Sequence, residues 1–118
     1  MMNIEKWLDI FHAAWKNHDI EKVISLFTDG VEYWENPHYR IADINQLHKE
    51  WQAIQSQKDI KVSTKLFASS DNRHTVTWDL SYRQGYETKQ SGGVYLIKLN
   101  DEGLCDYFYY VGEAKETK

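Results

Sequence analysis

Glu35 and His38 stand on either side of Pro37, the one proline of the chain, in the run Val31-Glu32-Tyr33-Trp34-Glu35-Asn36-Pro37-His38-Tyr39. A carboxylate beside an imidazole can hold its tautomer and tune its pKa, which suits general acid–base work. In an apolar pocket Glu35 would also be held above the usual carboxylate range. These two are the candidate catalytic residues. The bland alternative is a solvated loop that carries both. A core strand would be rich in Val and Ile, and a surface loop would not spend a Trp. The run therefore reads as the lip of an apolar pocket with polar groups at its mouth, Asn36 among them.

Other chemistry finds little footing. The five histidines show no HxH or HExxH spacing and there is no CxxC, so no metal site and no cofactor are expected. Cys105 is the only cysteine, so no intrachain disulfide can form. It has no His or basic cluster near it in sequence and reads as a small strand residue. Gly92-Gly93 precedes a strand and not a helix, so there is no phosphate loop, and no serine nucleophile elbow exists. Asp79 alternates with Trp78 and Leu80, which places it opposite their apolar face. Arg40 and Arg83 read as solvated ends of strands.

The chain has 118 residues, the usual size of one domain, and a formal charge of −4. No basic footprint for nucleic acid is present. Five Trp, eight Tyr and four Phe are many for this length, and they suit a ligand cavity or an interface. The N-terminal run carries Glu5, Lys6 and Asp9 and no uninterrupted apolar stretch, so it is not a secretion signal. No segment approaches membrane-spanning length. A cytoplasmic location with no membrane contact is expected.

Periodicity supplies the elements. Ile4, Trp7, Leu8, Phe11, Ala14 and Trp15 mark a helix capped by Asn3. Asp19 caps a second, with Ile20, Val23, Ile24 and Phe27 on one face, and Thr28-Asp29-Gly30 ends it with Gly30 in a left-handed turn. Residues 31–35 form a strand that stops before Pro37, and a loop runs to Ala42. Asp43 caps a third helix, with Ile44, Leu47, Trp51 and Ile54 in a stripe. The period then changes to two. Strands follow from Ile60 to Ser69 and from Thr75 to Arg83, joined at Asp71-Asn72. A looser connection, residues 84–93, leads to a strand at 94–99. Asn100 to Gly103 turn into a last strand at 104–111. This is an α+β order. In the last two strands both faces carry apolar groups. One face serves a pocket under the helices, and the other needs a partner, most simply a second copy.

Ala13-Ala14-Trp15, Asp19, Val23, Leu26-Phe27 and the run Asp29 to Pro37 resemble the nuclear transport factor 2-like superfamily. The chain is most similar to its polyketide-cyclase-like (SnoaL-like) and steroid Δ-isomerase branches. The resemblance covers nearly all of residues 1–118 as one SnoaL-like domain. It implies a cone: a curved mixed sheet wrapped around three N-terminal helices, with a pocket inside and frequent dimerisation through the sheet. Members include isomerases, cyclases, epoxide hydrolases, dehydratases and plain binding modules, so fold alone does not choose among them. The isomerase base falls at Asn36, whose amide cannot abstract a proton. Its helix tyrosine falls at Phe11, and its second donor at Tyr95, which retains a hydroxyl. Steroid-type isomerisation is therefore not expected. The cyclase branch implies a carboxylate and a histidine projecting into the cone, for which Glu35, His38, Asp79 and Glu113 are candidates.

The reading is a small-molecule-binding cone that acts by acid–base chemistry on a small, apolar, carbonyl-bearing substrate. Glu35 or His38 would move the proton. Trp15, Trp34, Asn36, Trp51, Trp78 and Tyr95 would bind the ligand. The alternative is a catalytically silent binding or dimerisation module of the same fold, in which aromatic side chains plug the cone.

Overall fold

The computed structural model describes residues 3–115. Its three helices start where a short polar side chain meets an orphan N–H. Asn3 Oδ1 accepts from Lys6 N at 2.8 Å and opens α1 (Ile4–Lys16). Asp19 Oδ1 accepts from Lys22 N at 3.1 Å for α2 (Ile20–Ile24). Asp43 Oδ1 accepts from Gln46 N at 2.8 Å for α3 (Ile44–Trp51), which tightens into a 3₁₀ turn at Gln52–Ser56. Each bond satisfies a donor that the helix itself cannot.

Six strands form one curved, open sheet in the order β2-β1-β6-β5-β4-β3. They are β1 (Phe27–Asn36), β2 (Tyr39–Ile41), β3 (Lys58–Ser70), β4 (Arg73–Gln84), β5 (Glu87–Leu99) and β6 (Cys105–Ala114). All neighbours are antiparallel except β1 and β6, which run parallel, so the sheet is mixed. The α+β cone expected from the sequence is the observed fold.

Three expectations about local structure are corrected. Thr28-Asp29-Gly30 does not end α2, which stops at Ile24; these residues lie in β1, where the pairing with β6 slips between Phe27 and Glu32. Gly30 therefore marks a sheet irregularity and has no left-handed backbone. The loop expected up to Ala42 contains β2, a short edge strand after Pro37. The looser connection at 84–93 is a two-residue hairpin turn, Gly85-Tyr86, followed at once by β5. Gly85 supplies the positive φ (63°), and polar residues in the first half of β5 hid the strand.

Pleating sorts the residues. Val31 and Tyr33 of β1, Val76, Trp78 and Leu80 of β4, Tyr95, Ile97 and Leu99 of β5, and Phe108 of β6 are buried against the helices. From α1, Trp7, Phe11 and Trp15 meet them. Phe11 lies within 5.1–6.4 Å, ring to ring, of Trp7, Trp15, Phe27, Trp51, Tyr95 and Phe108. Among the described residues the core holds no buried polar or charged residue.

Trp78 needs a glycine to lie flat. Its ring spans β5 toward β6, and a Cβ at Gly112 would stand 2.5 Å from it. The Trp78 ring in turn stacks on Tyr110 at 4.9 Å and on Tyr95 at 5.6 Å. Gly112→Ala should therefore force the Trp78 stack to shift and cost about 1–3 kcal/mol as an overpacking change. Urea unfolding measures it: a lower midpoint at unchanged slope is expected, whereas an unchanged midpoint would mean that Trp78 moves freely.

Candidate functional site

The site grows from the inward phase of β1. Tyr33 is buried, and Glu35, two residues on, points the same way at the rim where the sheet ends. Facing them are Trp15 near the end of α1, Glu50 and Trp51 at the end of α3, Ala53, Ile54 and Gln57 in the following turn, and Tyr110 from β6. With Asn36 these residues line an open cavity of about 310 Å³.

Its walls are fixed. The Trp15 and Trp51 rings meet edge to face at 5.1 Å. Trp15 Nε1 donates to Gln57 Oε1 at 2.9 Å, and His18 Nε2 lies 2.6 Å from the Gln57 carbonyl oxygen. His18 takes a positive φ of 57° to make the corner between α1 and α2. That corner therefore anchors one wall of the cavity.

Glu35 is half-buried, and the loss of water raises its carboxyl above the ordinary carboxylate value; the neighbouring Glu50 raises it further. Burial pushes up the Tyr33 hydroxyl, the Glu35 charge adds to this, and hydrogen bonding with Trp51 opposes both. Tyr110 is pushed up to about 12 by burial, with Tyr82 and Glu35 adding. Both tyrosines are therefore neutral donors at physiological pH. The cavity sets a raised carboxyl beside two hydroxyls, an arrangement able to take up and return a proton.

The structure brings together part of the expected set. Trp15, Glu35, Asn36 and Trp51 line the cavity. His38 does not: it is exposed in the turn between β1 and β2, where its N–H donates to Asn36 Oδ1 at 2.8 Å. Pro37 and this Asx turn carry the imidazole away from Glu35. Trp34 also misses the cavity, because alternation puts it on the outer face. There its Nε1 donates to Glu32 Oε2 at 2.8 Å, and its ring lies 6.4 Å from Tyr109. Trp78 and Tyr95 are buried behind Tyr110 and fill the depth of the cone instead of lining its mouth. The Tyr95 hydroxyl has no hydrogen-bond partner among the described residues. Asp79 and Glu113 are exposed outside the cavity. The sequence reading missed Tyr33, Glu50, Gln57 and Tyr110. Alternation in β1 and β6 places Tyr33 and Tyr110 in the inward phase, whereas Glu50, beside the stripe of α3, left no mark.

A larger cleft of about 680 Å³ lies on the outer face, away from Glu35. Ser69, His74, Leu96, Lys98, Asp106 and Tyr107 are among its walls. Ser69 Oγ and His74 Nδ1 are 2.7 Å apart there, across the β3–β4 hairpin. Among the described residues no group of three His, Cys, Asp or Glu side chains is placed to hold a metal, and no helix is long and apolar enough to cross a membrane.

The SnoaL-like domain family model matches residues 8–106. The chain belongs to the SnoaL-like family. No curated protein matches it. Among solved structures it is similar to the Δ5-3-ketosteroid isomerase of Mycobacterium sp., at 14% identity over 92% of that chain and 97% of this one, with a TM-score of 0.76. An NTF2-like protein from Exiguobacterium sp. 255-15 matches at 17% identity over 98% of its chain and 97% of this one, TM-score 0.72. An LEH-like epoxide hydrolase of Mycobacterium tuberculosis matches at 15% identity over 80% of its chain and 93% of this one, TM-score 0.69. At these identities the likeness is one of fold. SnoaL-like members thus share the cone with proteins of different chemistry.

Glu35 carries a direct stability consequence. Its folded pKa lies above the unfolded one, so the folded state binds more protons, and stability falls as pH rises through the folded value. At neutral pH the ionised group is therefore a burden on the fold. Glu35→Gln should raise the melting temperature at pH 7, and the gain should vanish in acid below the ordinary carboxylate pKa. Melting curves across pH test this; a destabilised variant at pH 7 would contradict it.

Proposed function

We propose that this SnoaL-like protein binds a small, largely apolar molecule in the cavity at the mouth of the cone and moves a proton on it through Glu35. The observation that carries this reading is the raised, half-buried Glu35 carboxyl opening on a cavity walled by Trp15, Trp51, Tyr33 and Tyr110. A general base works best with a pKa near the working pH, and desolvation brings a carboxyl closer to it. The Tyr33 and Tyr110 hydroxyls are the donors for an oxygen that gains charge, as on a carbonyl that becomes an enolate. Asn36 has its Oδ1 engaged by the His38 N–H, and its amide nitrogen remains for the ligand. His38, exposed in its turn, is left out of proton transfer. The activities named for two structural neighbours, a ketosteroid isomerase and an epoxide hydrolase, support acid–base chemistry in such a cone.

A silent binding module is the second reading. It draws on the filling of the cone: Phe11, Trp78, Tyr95 and Phe108 occupy its depth, so a ligand reaches only the mouth. Deuterium exchange separates the two. Small ketones incubated in D₂O with the protein should lose α-protons, and Glu35→Gln should slow this by about 10²–10⁴-fold. Rates should rise with pH as Glu35 ionises. Ligand binding without any exchange would select the module.

The outer face supports a homodimer as the working form. Val94, Leu96, Tyr109, Val111 and Trp34 lie on it, with Leu96 38% and Val111 40% exposed. Such a face is most simply covered by its own copy about a two-fold axis. Light scattering should give twice the 14.0 kDa of the chain, and Leu96→Glu should lower it to one chain. A wild-type particle of one chain would refute the dimer.

A further inference from the structure

We infer that the ligand of the cavity carries a positive charge: an ammonium group, substituted or quaternary, on a compact apolar body. The inference rests on the reading of this cavity as the ligand site and adds the chemical class of what enters it.

Four rings line the cavity, Trp15, Tyr33, Trp51 and Tyr110, together with two carboxyls, Glu35 and Glu50. No Lys, Arg or His lines it. Ring faces are negative, and faces set around a cation attract it more strongly once water is excluded. The Trp15 and Trp51 rings pack edge to face with their planes at 84°, so this pair offers no parallel slot for a flat ring.

The polar atoms agree. Gln57 Oε1 is taken by Trp15, and Asn36 Oδ1 by the His38 N–H. The Glu35 and Glu50 carboxyls accept no hydrogen bond and form no ion pair with another described residue. Besides the tyrosine hydroxyls, the side-chain acceptors of the cavity that engage no described residue are the two carboxylates. Glu35 is half-buried and the charge of the exposed Glu50 bears on it, so a cation between them relieves the strain on Glu35. A neutral carbonyl does not.

Cation binding is thereby tied to protons. The titratable groups that face Glu35 are Glu50 on α3, Tyr33 on β1 and Tyr110 on β6, with Tyr82 behind Tyr110. The tyrosines stay neutral. A cation favours the ionised carboxyls, so binding expels a proton from Glu35 and tightens as the pH rises through its titration.

The test uses benzyltrimethylammonium and its uncharged counterpart benzyl alcohol, titrated into the whole protein and followed by indole N–H shifts in NMR. The cation should bind at least about tenfold more tightly than the alcohol. Glu50→Gln should remove most of that preference while the variant stays folded, with a melting temperature at pH 7 at or above the wild-type value. Calorimetry in two buffers of different ionisation heat should show proton release in the wild type and less in Glu35→Gln. Equal affinity for cation and alcohol, or a preference untouched by Glu50→Gln, would overturn the inference. Ketone exchange that depends on Glu35, with no preference for the cation, would sink this inference alone. A clear cation preference with no exchange on any substrate would instead retire the acid–base reading and leave a cation-binding module.

Discussion

The Phe11 ring sits where α1, α3 and the sheet meet, in contact range of rings from all three. Such ring contacts join helices to sheet beside the aliphatic core, and they bury large areas and constrain angles as well as distances. The same ring sets the depth of the cone. With Phe11 in front of Tyr95 and Phe108, and Trp78 laid across Gly112, the interior is full. Dense packing of this kind leaves free space only where the rings stop. They stop at the mouth, between Trp15, Trp51 and the end of β1.

The position of Glu35 follows from that limit. β1 runs past the edge of the aromatic filling by one pleat, and its next inward residue is a carboxylic acid. It is partly dry because the rings of Trp51 and Tyr110 stand near it, and it is raised further because Glu50 ends α3 beside it. A fold selected for stability alone would place an amide there. A half-buried carboxyl held above its ordinary range at a pocket mouth is a physical cue to function. The same geometry explains why His38, two residues beyond Asn36, is excluded: Pro37 turns the chain outward before the imidazole can face the cavity.

Much of this was legible in the residues. The three caps at Asn3, Asp19 and Asp43 and the helical stripes were plain, because N-capping and periodicity are local effects. The family resemblance carried the fold. Boundaries failed where tertiary pairing overrode local signals. Gly30 reads as a helix stop but sits in a strand that slips against β6, and the polar start of β5 has no alternation to betray it. The site was half legible. Trp15, Glu35, Asn36 and Trp51 could be named from the chain. Trp34 could not be excluded until the pleat of β1 was fixed, since one residue of register moves a side chain to the other face. Glu50 had no signal at all, because an acidic residue on a helix is ordinarily solvated.

A proton-transfer site at the mouth of the cone depends on the state of the Glu35 carboxyl. A carbon-13 NMR titration of protein labelled at the glutamate side-chain carboxyl measures it directly, with Glu35→Gln assigning the resonance. A midpoint clearly above that of an ordinary glutamate is expected, moving down when Glu50 is replaced by Gln. A midpoint at or below the ordinary value, indifferent to Glu50, would mean a solvated carboxylate and no proton-transfer site at the mouth of the cone.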